Sequence, residues 1–164
     1  MPALRLECDV SYAARKPWVP SVRQLAKWTG ATLSSATLAV APAALARGRR
    51  AVALSIRVVG SARSRSLNLQ YRHKNRPTNV LSFDGAGAAP DGRYFLGDLV
   101  ICAPVVAREA LIQGKTLESH WAHMTVHGVL HLLGLDHESH GEAAKMEAKE
   151  VQILDRLGFS DPYR

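Results

Sequence analysis

Cysteine is scarce in this chain: two in 164 residues, Cys8 and Cys102. No C-x-x-C pair exists, which excludes a dithiol redox motif and a thiolate zinc cluster. Each cysteine sits in an apolar, strand-like stretch and reads as a buried free thiol of a reducing compartment. Long hydrophobic runs are missing too. A membrane span needs about 18 or more consecutive apolar residues, and none is present, so no membrane association is expected. The first ten residues carry Glu7 and Asp9 instead of an apolar core, unlike a secretory signal. A cytoplasmic protein is the remaining expectation. Internal repeats and low-complexity linkers are also lacking.

Acidic residues are the minority among the charges: 14 Asp and Glu against 21 Lys and Arg, a formal net charge of +7. A basic surface attracts polyanions, of which nucleic acid is the commonest, though charge alone does not decide the partner. The length suits one domain, taken as residues 1–164. A domain of this size buries about 70% of its unfolded surface and needs no disulfide staples.

Strand-like and helix-like segments are interspersed. Leu4 to Val10 alternates apolar and polar residues, as a half-buried strand does. Ser21 predicts a cap for a helix running to about Ser35, with Val22, Leu25, Ala26 and Leu33 inward. Ala51 to Val59 is rich in β-branched residues and reads as a strand. Ser61 is placed as the cap of a short helix to about Tyr71, presenting Leu67, Leu69 and Tyr71 to a core. Asn79 to Phe83 and Tyr94 to Cys102 read as strands, separated by a Gly-, Ala- and Pro-rich loop from Gly85 to Arg93. Pro104 suits the first turn of a helix to about Gln113. Thr116 opens a helix over Leu117 to Leu133 that Gly134 stops. A last helix spans about Gly141 to Leu157. The pattern predicts an α+β or α/β layer structure with about four strands.

The chemistry concentrates in residues 127 to 137, HGVLHLLGLDH. His127 and His131 are four apart on a helix, so both imidazoles project from one face. Gly134 lets the chain turn back and bring His137 to the same point. Three histidines leave a fourth tetrahedral position open, the arrangement of a catalytic rather than a structural zinc. The spacing H-x3-H-x5-H also occurs in metzincin proteases, where Glu follows the first His. Here that position is Gly128, so a protease would lack its base. His120 and His123 lie near the motif, either as ordinary helix histidines or, for His123, as a supporting group or extra ligand. Asp136, Glu138, Glu147 and Glu150 are candidates for handling protons or orienting imidazoles. The alternative for Glu147 and Glu150 is that they only face solvent.

A second stretch, LNLQYRHKNRPTNVLSF from Leu67 to Phe83, sets Arg72, Lys74 and Arg76 beside Tyr71 and His73. Arginine grips phosphate in a bidentate way and lysine binds it as a point charge. Asn79 and Ser82 flank the strand as possible hydrogen-bond donors. Arg47, Arg49 and Arg50 form a further basic cluster that reads as a solvated one.

These two stretches, with MEAKE after the first and GDLVIC after the second, resemble the bacterial YbeY family over roughly residues 50 to 158. That family comprises zinc-dependent endoribonucleases of ribosomal RNA maturation. The resemblance implies a single α+β domain, with a mixed sheet of about four strands backed by helices. It implies one zinc per chain held by His127, His131 and His137, and Arg72 in the cleft serving catalysis or RNA binding. It implies cleavage of single-stranded RNA in 16S 3′-end maturation and ribosome quality control. Arg72, Lys74 and Arg76 are then the RNA contacts. The partners are rRNA precursors and ribosomal subunits, and DNA is not expected. Asn75 stands where relatives commonly carry an acidic residue. The nucleophile stays open between water and the RNA 2′-OH. Two rival readings are a non-enzymatic ribosome-assembly factor with a structural metal and a zinc metalloprotease.

Overall fold

The computed structural model describes residues 5–36, 51–135 and 138–164. His137, Asp136 and the Arg47–Arg50 cluster lie outside the described residues. The described chain runs β1 (Arg5–Tyr12), α1 (Val22–Ala36), β2 (Ala51–Val59), α2 (Ser61–Arg72), β3 (Val80–Ala88), β4 (Arg93–Cys102), α3 (Ala103–Ile112), α4 (Leu117–Leu132) and α5 (His140–Arg156). The strands form one mixed sheet in the order β1-β2-β4-β3. β1, β2 and β4 are parallel, and β3 returns antiparallel to β4. This is the α+β fold expected.

Period two in the strands sorts side chains onto two faces. Val52, Leu54, Ile56 and Val58 of β2 meet Leu99 and Ile101 of β4 in the larger core, together with residues of α1, α4 and α5. Val59, Leu81, Val100 and Cys102 point the other way, against Leu67 of α2 and Val105 of α3. A strand covered on both faces reads as a nearly continuous apolar run, and β2 is apolar except at Ser55 and Arg57. Each fully buried aliphatic side chain contributes about 1.5–3 kcal/mol of transfer free energy. α4 supplies Val126, Val129 and Leu130, all fully buried.

Several local signals act as expected. Ser21 and Gln24 form a reciprocal cap: Gln24 N donates to Ser21 Oγ, and Ser21 N donates to Gln24 Oε1. The Thr116 side chain accepts from Ser119 N at the head of α4. Gly134 takes φ +96°, and Leu135 N then bonds back to Leu130 O, closing the helix.

Four expectations need correction. Gly85 to Arg93 is not one loop: β3 continues to Ala88 and pairs with β4, with a register shift between Asp84 and Gly87. Backbone pairing, to which composition is nearly blind, holds this arm. The cap of α2 is Gly60, with no side-chain bond, rather than Ser61. α2 also buries Ser64, Leu67 and Asn68, and leaves Leu69 and Tyr71 exposed. Polar groups were seated inward because the next loop needs them. Ser64 Oγ donates to Thr78 O and accepts from Thr78 N, and Asn68 Nδ2 donates to Arg76 O. On α1, Val22 is exposed and Trp28 takes a core place instead.

Candidate functional site

α4 is the organising element. It is enclosed by the sheet and by α1, α3 and α5, and most of its residues from His120 to Leu132 are buried. His123, His127 and His131 repeat every four residues and so form one stripe along it. The stripe begins inside the protein and ends at its surface: His123 is buried, while His127 and His131 are partly open. Ring centroids are 6.3 Å apart for the first pair and 4.7 Å for the second.

His127 and His131 open into a cleft of about 550 Å³. Across it lie Tyr71 and Arg72, the last residues of α2, and Asn79 to Phe83 of the β3 region. Arg72 is placed by a sharp reversal, since His73 adopts the left-handed conformation with φ 60°. A positive side chain in the last turn of a helix is also favoured by the partial negative charge there. Tyr71 packs edge-on against Phe83 with centroids 4.9 Å apart, which ties the end of α2 to β3. Thus Arg72, His127 and His131, predicted from two distant stretches, share one cleft. Lys74 and Arg76 do not line it; they sit exposed on the loop that leaves α2.

Behind the stripe stands Glu150 of α5, fully buried. His127 Nδ1 meets Glu150 Oε1 at 2.5 Å, and His123 Nε2 meets Glu150 Oε2 at 3.0 Å. The Tyr163 hydroxyl donates to the same Oε2. Burial pushes the Glu150 carboxyl up, but the hydrogen bonds from His123 and His127 outweigh it and bring it down to about 2. The group is a carboxylate and can only accept. His127 Nδ1 therefore donates its proton to Glu150, which makes Nε2 the ring nitrogen that a metal would use. Burial also lowers the pKa of His123, so its ring is neutral and donates through Nε2. An ion taken out of water costs several kcal/mol unless hydrogen bonds satisfy it, and three donors do so here.

The reading of Glu150 as a solvent-facing residue is therefore overturned, whereas Glu147 does face solvent. A signal for this exists in the sequence. Glu150 lies four residues from both Met146 and Leu154, on the apolar stripe of α5, and a charge on such a stripe is seldom there without a partner. No sequence motif points to Tyr163 or Glu109. Glu109 Oε1 meets His120 Nε2 at 3.0 Å, and both its oxygens accept from Asn79 Nδ2 at 3.2 Å. Burial raises the Glu109 pKa, but these bonds leave it lowered. His120 and His123 are thus both carboxylate-bound core residues.

Gly128, beside the first histidine, packs α4 tightly against the sheet. A Cβ built there would stand 2.8 Å from Leu99 Cδ2 and 3.3 Å from Val80 Cγ2. The glutamate that metzincins carry at this point has no room in this fold.

A mixed four-stranded sheet that lays two helical imidazoles along an arginine-bearing cleft defines a small α+β enzyme of the hydrolase class. Residues 22–158 match the family model described as Endoribonuclease YbeY. Two relatives from Stenotrophomonas maltophilia, strains R551-3 and K279a, both called Endoribonuclease YbeY, are 49% and 48% identical to it. Each alignment covers 98% of this chain and 94% of the relative. The chain belongs to the YbeY endoribonuclease family. The solution structure of TM1509 from Thermotoga maritima shares its fold, with a TM-score of 0.53 at 20% identity over 92% of this chain and 91% of that one. Among the described residues no helix is long and apolar enough to cross a membrane.

Proposed function

We propose that this endoribonuclease holds one zinc ion through His127, His131 and His137, and cuts single-stranded RNA in the cytoplasm. Its substrates are ribosomal RNA precursors, at the 16S 3′ end and during ribosome quality control, and its partners are ribosomal subunits. The observation that carries this reading is the Glu150–His127 contact. It fixes the imidazole tautomer with the proton on Nδ1, beside a cleft shared with His131 and Arg72. A carboxylate behind a histidine is a usual companion of zinc-binding imidazoles, so the donor set fits the ion. Bound there, zinc supplies a Lewis acid for a phosphoryl oxygen and makes a bound water more acidic than bulk water.

The chain's own residues do the rest. The Arg72 guanidinium grips the phosphate and offsets the negative charge that grows during cleavage. The exposed ring of Tyr71, at the edge of the same cleft, offers a surface on which an unpaired base stacks. Bases held in a duplex present no free face, which favours a single strand. Lys74 and Arg76, outside the cleft, extend the positive path for the backbone.

The test compares wild type, His131→Ala and Arg72→Glu for RNA cleavage at fixed salt, with metal content by mass spectrometry and folding checked for each. The expected result is about one zinc per chain and cleavage for wild type. His131→Ala loses both, and Arg72→Glu keeps zinc but does not cut. Equal cutting by all three would mark the activity as a contaminant and favour a non-enzymatic assembly factor.

A further inference from the structure

Residues 158–164 follow α5 and fold back onto it. Gly158 N bonds to Asp155 O and Phe159 N to Leu154 O, at 3.0 and 2.8 Å, which reverses the chain. Phe159 then packs edge-on against Trp28 of α1, with centroids 6.1 Å apart. Asp161 Oδ1 accepts from Tyr163 N at 2.8 Å. This sequence of anchors brings the hydroxyl of Tyr163, a residue still 48% exposed, to the buried Glu150 carboxylate. The Tyr163 ring meets His123 edge-on at 5.4 Å, and its hydroxyl reaches Glu150 Oε2 and lies 3.3 Å from His123 Nε2.

We propose that Tyr163 is a positioning residue for the metal site: its hydroxyl fixes the rotation of the Glu150 carboxylate, and through it the ring of His127. A carboxylate on a glutamate side chain turns easily about its last torsion. One donor per oxygen leaves that rotation poorly defined. Here Oε2 is held from two sides, by His123 Nε2 and by the Tyr163 hydroxyl. With Oε2 fixed, Oε1 has one direction left, toward His127 Nδ1. The tail thus acts on the cleft through the buried Glu150, without lining the cleft itself. The inference rests on the zinc reading above.

The experiment uses the full chain with Tyr163→Phe and Tyr163→Ala. Zinc affinity is read by competition with a chromophoric chelator. The His127 Nδ1–H resonance is read by NMR on the metal-free protein. Changes in groups that orient metal-binding histidines typically cost about 10–100-fold in affinity. Tyr163→Phe keeps the ring packing and removes only the hydroxyl. It should weaken zinc binding by about tenfold, at the lower end of that range, and shift the His127 ring-proton resonance. Tyr163→Ala should lose at least as much. A Phe variant with wild-type affinity and an unmoved resonance overturns the proposal, whatever the Ala variant does, since the ring alone would then be what matters. A wild type that takes up no zinc sinks the metal reading and this inference with it. A wild type that binds zinc beside a Phe variant that binds it equally sinks the inference alone.

Discussion

Glu150 Oε1 stands 2.5 Å from His127 Nδ1, and the carboxylate that makes the contact is wholly shut off from solvent. Three donors hold it: His123, His127 and Tyr163. Glu150→Gln keeps the volume but sets an amide NH₂ against at least one of those donors. Zinc affinity and RNA cleavage are expected to fall by about 10–100-fold, with the fold retained by circular dichroism. Full metal content together with full activity in this variant would remove Glu150 from the site.

The same carboxylate ties stability to pH. Folded, it titrates near 2 against an ordinary 4.5, so on acidification the unfolded chain takes up the proton first. Its contribution is fully present above about pH 4.5 and is lost as pH falls toward 2, on the order of 3 kcal/mol in total. His123, whose pKa burial lowers from 6.5, adds a milder loss that begins as pH falls through 6.5. Denaturant unfolding of the metal-free protein should show both phases in wild type. In Glu150→Gln the phase below 4.5 should flatten, and an equally steep phase there would mean that another carboxyl carries it.

Gly128 lets α4 lie against β4. A methyl group there meets Leu99, which is fully buried and has little freedom to move away. Overpacking costs about 1–3 kcal/mol, while Gly to Ala in a helix gains about 1 kcal/mol. Gly128→Ala is therefore expected to be less stable by about 1 kcal/mol. Urea unfolding measures it, and a midpoint at or above wild type would show that Leu99 gives way freely.

Arg72→Lys separates charge from shape. Lysine keeps the positive charge but loses the planar fork that matches two phosphate oxygens. The expected outcome is kcat/KM for RNA lower by about tenfold, or about 1.4 kcal/mol of transition-state stabilisation, with zinc content unchanged. Kinetics equal to wild type would reduce Arg72 to a general positive charge.

The histidine pair and Arg72 were legible because both depend on local rules. Four-residue spacing on a helix fixes a shared face, and Gly134 announces its end. The motif resemblance then joined two stretches that periodicity could not. The layer architecture followed from the alternation of strand and helix signals, and Thr116 and Ser21 marked their helix starts because capping is a contact within one turn. The facing of α2 is not legible in its sequence, since Ser64 and Asn68 turn inward to bind the backbone of a loop ten or so residues on. The β3 arm reads as a loop in the sequence because its glycines speak against a strand unless a partner strand is known.

The sequence by itself determined the elements, the spacing of the imidazoles and the family, because these reside in neighbours along the chain. Only the tertiary structure decided what stands behind those imidazoles. Glu150 comes from α5 and Tyr163 from the tail beyond it, and their hydrogen bonds to α4 exist because helix packing brings distant segments within 3 Å or so. A buried carboxylate demands donors wherever the fold can supply them, and the linear spacing of residues does not say which side chains those will be.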